Sequence, residues 1–318
     1  MASQTLRLKL QAAAGAACFG LFLYAGWVKR WEPFHTYFYL FAWASFLWVI
    51  DRTLASRAGI SPLSRPRSLA RLLCLSTTFW LIFEVFNFRL SNWVYLNVPT
   101  ERWLRWPGYA LSFATVMPGI LMVRKLVDSY LPRNSLPPGG GGRGWGGASP
   151  PSRPSPTKGE GVFLTLGLLM ILLPLLWPRY FFPFIWGGVF LLLDPWVAKK
   201  KGHSLWMDWK NGELRHTWTL LAAGLACGLF WEGCNFGAGA KWRYTLPYWE
   251  FSKIFEMPVL GFIGFMPFAL EAHAFHQAAS LFWRGRSAFQ RVLIALGTAL
   301  FWGLAFTGID RWTVIEWR

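Results

Sequence analysis

Charged residues are scarce in this 318-residue chain and make up 15% of it. A soluble domain of this length carries about 25% charged residues. Cysteine is also rare: the four cysteines stand apart in apolar segments without a CxxC pair, which is typical of small buried apolar side chains. The chain has no Walker loop, GxSxG, dinucleotide fingerprint or HExxH. Nucleotide-driven energy coupling and the standard hydrolase chemistries therefore have no support in the sequence.

Hydrophobic residues make up 54% of the chain and lie in long runs. Each run approaches the roughly 20 residues that a helix needs to cross a bilayer, and in lipid such a run must satisfy its backbone polar groups internally, as a helix does. We read the first run as a retained helix and not as a cleaved signal peptide. The predicted fold is an all-α polytopic transmembrane bundle of about nine spans, at residues 11–28, 35–51, 70–89, 108–128, 162–177, 180–197, 215–235, 256–282 and 289–307.

The net charge of +17 does not indicate nucleic-acid binding, because the Lys and Arg residues lie in short loops between the apolar runs. About two thirds of them fall in one alternating set of loops, which the positive-inside rule places in the cytoplasm. We therefore expect an integral protein of the bacterial inner membrane with a cytoplasmic N-terminus and a C-terminus outside. The expected partners are membrane lipid and an apolar small molecule, and no cofactor is expected.

The apolar part of the chain divides into two similar regions, residues 1–132 and 162–318. Between them, residues 133–161 are rich in Pro, Gly and Ser, which predicts a disordered cytoplasmic linker. Glu84 and Asn87 align with Glu232 and Asn235 at an offset of 148 residues. Each half holds four predicted spans, so we predict two parallel four-helix repeats plus one extra helix.

Charged side chains within spans are costly and are functional candidates by default. Glu84 and Glu232 each lie three residues before an Asn, so both polar groups of each pair share a helix face. One interpretation is catalytic, with Asn235 orienting Glu232 and with Glu84 and Asn87 binding substrate. The alternative is a structural hydrogen-bond pair that locks the two halves together.

A second carboxyl, Glu256, occurs only in the second half, at the predicted start of span 8. An aromatic loop with Trp242 and Tyr244 connects it to Glu232. Two carboxyls in a partly dry, aromatic pocket can have separated pKa values, one donating and one accepting a proton. The alternative for Glu256 is a helix-start position favoured by the helix dipole.

Two histidines, His273 and His276, are three residues apart in span 8 and share a face. They are the sequence's weak candidates for metal ligands. A polar role in helix packing is the alternative, and we expect no metal.

Three motifs, Trp231-Glu232-x-x-Asn235, Trp242-x-Tyr244 and Glu256-Met257-Pro258, resemble membrane carotenoid cyclases of the lycopene cyclase-domain class. The related carotenoid hydratases carry a similar Glu, an aromatic loop and a Pro-rich span. The resemblance implies acid–base chemistry on a polyene or prenyl lipid. A carboxyl would protonate a double bond, aromatic faces would stabilise the cation, and a second acid would remove a proton.

The sequence therefore leaves three functions open. The favoured one is an intramembrane acid–base enzyme acting on an isoprenoid, polyene or other long apolar lipid. Its predicted catalytic residues are Glu232, Glu256 and Asn235, and its predicted substrate-binding residues are Trp231, Trp242, Tyr244, Glu84 and Asn87. The alternatives are a proton-linked transporter or permease, and a non-catalytic membrane scaffold or assembly factor.

Overall fold

The computed structural model describes residues 2–132, 158–248 and 251–318. The described chain is nearly all-α. Its helices are α1 (Ala2–Leu23, continued by a π-helical turn at Tyr24–Val28), α2 (Phe38–Ala58), α3 (Pro66–Leu90), α4 (Arg102–Ala114), α5 (Val116–Tyr130), α6 (Lys158–Leu176), α7 (Pro178–Phe181), α8 (Ile185–Lys199), α9 (Leu205–Lys210), α10 (Arg215–Phe236), α11 (Phe265–Trp283) and α12 (Ala288–Trp312). Its strands are β1 (Trp93–Leu96), β2 (Lys241–Tyr244), β3 (Lys253–Ile254) and β4 (Met257–Pro258).

Within the described residues, eight helical segments are long and apolar enough to cross a membrane. They are Ser3–Val28, Pro66–Leu90, Arg102–Tyr130, Gly159–Leu176, Pro178–Lys199, Arg215–Gly237, Val259–Trp283 and Ala288–Trp312. The prediction of a multi-pass helical membrane protein is supported at this level. The predicted span at 35–51 forms α2, which is not among the eight, so nine spans stays a prediction.

The last apolar helix, α12, shows how such a segment begins and which face it leaves uncovered. The Ser287 hydroxyl accepts from Gln290 N, and the Gln290 side chain accepts from Ser287 N, a capping box that satisfies two free amides of the first turn. Leu296, Leu300 and Leu304 follow at four-residue spacing and are all exposed. This leucine row is the kind of helix face that lipid covers.

Two segments differ from their predicted boundaries. Most of the linker predicted at 133–161 lies outside the described residues, but α6 already begins at Lys158. Span 8 does not begin at residue 256: β3 and β4 form a small antiparallel hairpin, and Glu256 lies in its turn. A 3-10 helix at Val259–Gly264 then leads into α11.

The two halves meet through a two-stranded antiparallel ribbon in which β1 pairs with β2. Trp93 is opposite Tyr244, and Tyr95 is opposite Trp242. The C-terminal segment extends the ribbon on the other side of β1, because Tyr95 N donates to Thr313 O over 2.8 Å and Ile315 N donates to Tyr95 O over 3.0 Å. The ribbon therefore ties both halves and the chain end together across one end of the bundle.

Corresponding polar contacts recur in the two halves. Asp51 accepts from the Ser61 hydroxyl ten residues later, and Asp194 accepts from the Ser204 hydroxyl ten residues later, over 2.8 and 2.7 Å. Each aspartate lies in the second half of its helix, and each serine lies in the loop that follows that helix. These paired contacts agree with the predicted duplication, which itself stays a prediction.

Aromatic rings form the core where the halves pack. Phe79 of α3 stacks on Phe268 of α11 with centroids 5.2 Å apart, and Phe83 stacks on Trp186 of α8 at the same distance. A Cβ atom at Gly119 of α5 would come within 2.7 Å of the Trp43 ring, so glycine permits this close approach. The core thus places large flat side chains directly beneath the ribbon.

Candidate functional site

A cavity of about 400 Å³ lies between the ribbon and the helices of both halves. Pockets that bind small molecules commonly fall between about 300 and 1,000 Å³. Aromatic residues dominate its wall: Tyr37, Tyr39, Trp80, Trp93, Tyr95, Tyr109, Phe113, Phe182, Trp186, Trp231, Trp242, Tyr244, Phe265 and Phe268. Such a wall suits a flat or extended apolar ligand.

Glu232 is the one carboxyl side chain among the described residues that line this cavity. It lies near the end of α10 and is fully buried. Its Oε1 accepts a hydrogen bond from the Tyr244 hydroxyl over 2.7 Å, and that hydroxyl accepts from Trp242 Nε1 over 3.1 Å. Its Oε2 has no hydrogen-bond partner. The cavity wall therefore holds a carboxyl with half of its hydrogen-bonding capacity unused.

Tyr244 is the residue that fixes Glu232 in place. Burial, together with the charge of Glu232, raises the pKa of Tyr244 well above its ordinary value. The phenol therefore keeps its proton at physiological pH and acts as the donor in the bond to Glu232.

Asn235 does not orient Glu232 by direct contact; it holds the ribbon. Its Nδ2 donates to Trp242 O over 2.8 Å, and its Oδ1 accepts from Trp242 N over 2.9 Å. Both amide groups are thus used on one residue of β2. Because Trp242 and Tyr244 belong to that strand, Asn235 positions Glu232 only through them.

In the first half, Glu84 and Asn87 correspond to Glu232 and Asn235, but their hydrogen bonds and their position relative to the cavity differ. Glu84 Oε1 accepts from three donors, Trp80 Nε1 at 2.7 Å, Trp93 Nε1 at 3.1 Å and Tyr95 Oη at 2.5 Å. All three donors line the cavity, whereas Glu84 lies behind them. Asn87 bonds to the Trp93 backbone as Asn235 does to Trp242. Predicted as substrate-binding residues, Glu84 and Asn87 instead hold the wall from behind.

Three further residues on the cavity wall have buried polar atoms without hydrogen-bond partners. Asn92 is 1% exposed, and neither its Oδ1 nor its Nδ2 makes a hydrogen bond. The Tyr37 hydroxyl and Trp231 Nε1 are likewise buried without a partner. All three residues line the cavity. Buried polar groups are nearly always hydrogen-bonded, so these groups indicate a ligand or water that carries polar atoms.

The two cations on the wall are each neutralised by a carboxylate. Arg105 donates from Nε and a terminal nitrogen to the two oxygens of Asp310 on α12, over 2.8 and 2.7 Å. Lys241 Nζ lies 2.6 Å from Glu256 Oε1. The bidentate pair fixes α12 against α4, and both pairs remove net positive charge from the cavity.

Glu256 is therefore placed differently from its prediction. It occupies a hairpin turn and not a helix start, so a helix-dipole role has no support. It is not among the residues that line the cavity, and it reaches the cavity only through Lys241. The sequence did not predict this hairpin, because a carboxylate shortly before Pro258 is also typical of the start of a helix.

Exposed apolar side chains stand at the edge of the cavity. Leu260 and Ile263, on the 3-10 helix before α11, line the cavity and are 51% and 61% exposed. An apolar side chain at a cavity mouth suits an opening toward lipid and not toward water.

The candidate metal ligand His273 lies at the other end of the bundle. The structure brings it together with His203 and His216, and not with His276. Only a fold can group these three, because they come from a loop, the start of α10 and the middle of α11.

Sequence reasoning missed Asn92, Arg105 and Asp310. Asp310 carried a readable signal, since it is a carboxyl at the end of a long apolar helix. For Asn92 the indication was weaker, namely its position directly before the Trp-x-Tyr strand.

Comparisons with protein-family models, with curated protein sequences and with solved structures found no match to this chain.

Proposed function

We propose that this membrane protein is an intramembrane acid–base enzyme that isomerises a long apolar lipid of the isoprenoid or polyene type. The observation that carries the proposal is the aromatic cavity with Glu232 in its wall and one Glu232 oxygen unpartnered. Enzymes that use a carboxyl as a general acid or base commonly hold it in a desolvated pocket of this kind.

The side chains of the cavity wall favour one class of substrate. Aromatic side chains favour a flat or extended hydrocarbon, and the exposed Leu260 and Ile263 favour a route from the bilayer. The unpartnered Asn92 amide favours a substrate with one polar end group, a hydroxyl or carbonyl, that would bond to it. We therefore propose a prenyl-type chain with an oxygenated end.

The proposed reaction needs no co-reactant. Glu232, in its acid form, donates its proton to one carbon of a double bond, and the neighbouring carbon becomes a cation. The aromatic faces around it stabilise that cation. An adjacent carbon then loses a proton to the Glu232 carboxylate, which restores the acid and forms a new double bond. The product is a double-bond isomer of the substrate.

The remaining predicted residues take supporting roles. Tyr244 and Trp242 hold Glu232, Trp231 forms part of the wall, and Asn235 holds the strand. Glu256 takes part only by pairing with Lys241. We further propose two parallel repeats, a cytoplasmic N-terminus, an outer C-terminus and residence in the bacterial inner membrane. The carotenoid cyclase resemblance stays a prediction.

The test is a chromatographic lipid profile that separates isomers, in a host that makes linear carotenoids and prenyl lipids. Wild type, Glu232→Gln and an empty vector are compared at equal amounts of folded, membrane-inserted protein. We expect a new isomer with wild type and none with Glu232→Gln. Membranes incubated in D₂O should place deuterium in the product. Identical profiles for all three, without deuterium uptake, would contradict the proposal.

A non-catalytic scaffold is the second candidate, because Glu84, Asn87 and Asn235 make the structural locks that this function needs. It predicts a partner that co-purifies in fixed ratio and no lipid change on deletion. For a proton-linked transporter we see less support. Between His216 and Glu232, α10 carries no Asp, Glu, Lys, Arg or His that would extend a proton path.

A further inference from the structure

Three histidine side chains converge at the end of the bundle that lies away from the cavity. They are His203, in the loop before α9, His216, in the first turn of α10, and His273, in the middle of α11. One ring nitrogen from each lies within 4.8 Å of the others. The rings are 4.3 to 5.2 Å apart between centroids. Three imidazoles from three elements thus face one common point.

The closest pair has the spacing of ligands on one ion. His203 Nδ1 lies 3.2 Å from His273 Nε2. In a tetrahedral zinc site with Zn–N bonds of about 2.0–2.1 Å, two ligand nitrogens are about 3.3 Å apart. A hydrogen bond between the two rings accounts for this pair alone. It does not account for the third imidazole, His216, directed at the same point.

Asp208 supplies the outer contact that metal-binding histidines usually have. Its Oδ2 lies 3.3 Å from His203 Nε2 and 3.9 Å from His216 Nδ1. A carboxylate on one ring nitrogen holds the proton there and leaves the other nitrogen free to bind an ion. For His203 that other nitrogen is Nδ1, the atom that faces His273.

Charge and access also suit a cation. Asp208 contributes a negative charge beside the histidines, and Arg124, which interacts electrostatically with His216 and His273, opposes it. Neutral imidazoles are among the preferred ligands of divalent first-row metals. The His203 side chain is 40% exposed, which gives an ion a route from solvent.

We propose that His203, His216 and His273 bind one divalent transition-metal ion of the zinc class, with water completing the coordination and Asp208 as an outer contact. The site is separate from the cavity: His216 and Glu232 are sixteen residues apart on α10, about 24 Å along the helix axis. It neither uses Glu232 nor depends on the proposed lipid chemistry.

The test is a zinc titration of the full chain, purified in detergent with a histidine-free tag and stripped with a chelator. Wild type should bind one Zn²⁺ per chain. His203→Ala, which removes a partly exposed loop side chain, should weaken binding at least tenfold, as should His216→Ala and His273→Ala. Asp208→Asn should weaken it about 10- to 100-fold, the range for outer contacts of metal ligands. Substitution with Co²⁺ should give the intense visible absorption of a tetrahedral site.

The controls are the two histidines outside the cluster. His35→Ala and His276→Ala should bind zinc as wild type does, although His276 is only three residues from His273. Thermal melting identifies any variant that fails to fold, and His203→Ala then decides the outcome. Binding below one equivalent in wild type, or unchanged affinity in folded His203→Ala, would overturn the proposal.

Discussion

Glu84 and Glu232 occupy corresponding motifs, but their surroundings give them different tasks. Both are fully buried and both precede an Asn by three residues. Glu84 receives three side-chain hydrogen bonds on one oxygen and lies behind the cavity wall. Glu232 receives one from Tyr244 and forms part of the wall. The corresponding carboxyls thus form a structural lock in the first half and part of the cavity wall in the second.

The difference comes from where the indole donors are directed, because a Trp-x-Tyr strand follows the motif in both halves. In the first half, Trp80, Trp93 and Tyr95 all direct their donors at the carboxyl. In the second half, the Trp242 indole donates to the Tyr244 hydroxyl, and that hydroxyl donates to Glu232. The two carboxyls do not differ in burial, and each has an unpartnered Oε2; they differ in how many donors reach Oε1 and in whether they line the cavity. The substitutions that follow test that difference, from the largest expected effect to the smallest.

Truncating Glu84, the carboxyl that accepts from three donors, should have the largest effect on stability. Glu84→Ala leaves three buried donors without an acceptor, so we expect a loss of about 3–5 kcal/mol in the free energy of unfolding. Glu232→Ala leaves one, and about 1–2 kcal/mol is expected. Unfolding in mixed micelles with increasing SDS measures both. Equal losses of unfolding free energy in the two variants would contradict the difference between Glu84 and Glu232.

Substitution of Asn87 should likewise lower stability more than substitution of Asn235. Asn87 makes three hydrogen bonds to the backbone around β1, and Asn235 makes two to Trp242. Alanine at Asn87 should cost about 2–3 kcal/mol, and at Asn235 about 1–2 kcal/mol. Asn211→Ala, at an exposed helix end, is the control and should change stability by less than about 0.5 kcal/mol. A larger loss at Asn235 than at Asn87 would reverse the ranking.

Alkaline pH should reduce the stability that the two ribbon tyrosines, Tyr95 and Tyr244, contribute to the fold. Burial and the neighbouring carboxyls raise the pKa of Tyr95 and Tyr244 well above the ordinary value. Because the unfolded phenols ionise first, stability is fully present below pH of about 10 and falls as pH rises beyond it, by up to about 1.4 kcal/mol per pH unit for each tyrosine.

The measurement is the free energy of unfolding between neutral pH and pH 11. The double variant Tyr95→Phe/Tyr244→Phe should show a shallower decline than wild type. Tyr180→Phe, at an exposed position, should follow wild type. Parallel curves for wild type and the double variant would count against the buried phenols as the cause.

Removing the charge of Glu256 should have the smallest effect. It pairs with Lys241 at a partly exposed site outside the cavity lining, so Glu256→Gln should lower stability by less than about 1 kcal/mol. Lipid conversion should stay within a few-fold of wild type. A loss as complete as that of Glu232→Gln would restore Glu256 as a second acid.

Local patterns in the sequence predicted much of the fold. Apolar runs indicated the spanning helices, and the three-residue spacing of Glu84 and Asn87 put both side chains on the face that meets β1. The aromatic residues around Glu232 were also readable, because they lie within a few residues of it.

Contacts between residues far apart in the chain could not be predicted from the sequence. The contact between the two halves depends on the β1–β2 ribbon, whose strands are separated by well over a hundred residues. Glu256 was misplaced because a two-residue hairpin leaves no periodic pattern to recognise. The grouping of His203 and His216 with His273 depends on how α10 and α11 pack, and sequence spacing alone favoured His276 instead.

The most direct test of the account compares Glu84→Gln with Glu232→Gln, since both replace a buried carboxyl by its neutral isostere. Lipid conversion is measured per folded molecule in the same host. The account predicts that Glu232→Gln abolishes conversion while Glu84→Gln retains it. Loss of conversion in both variants, or its retention in both, would contradict the claim that only Glu232 serves the cavity as an acid.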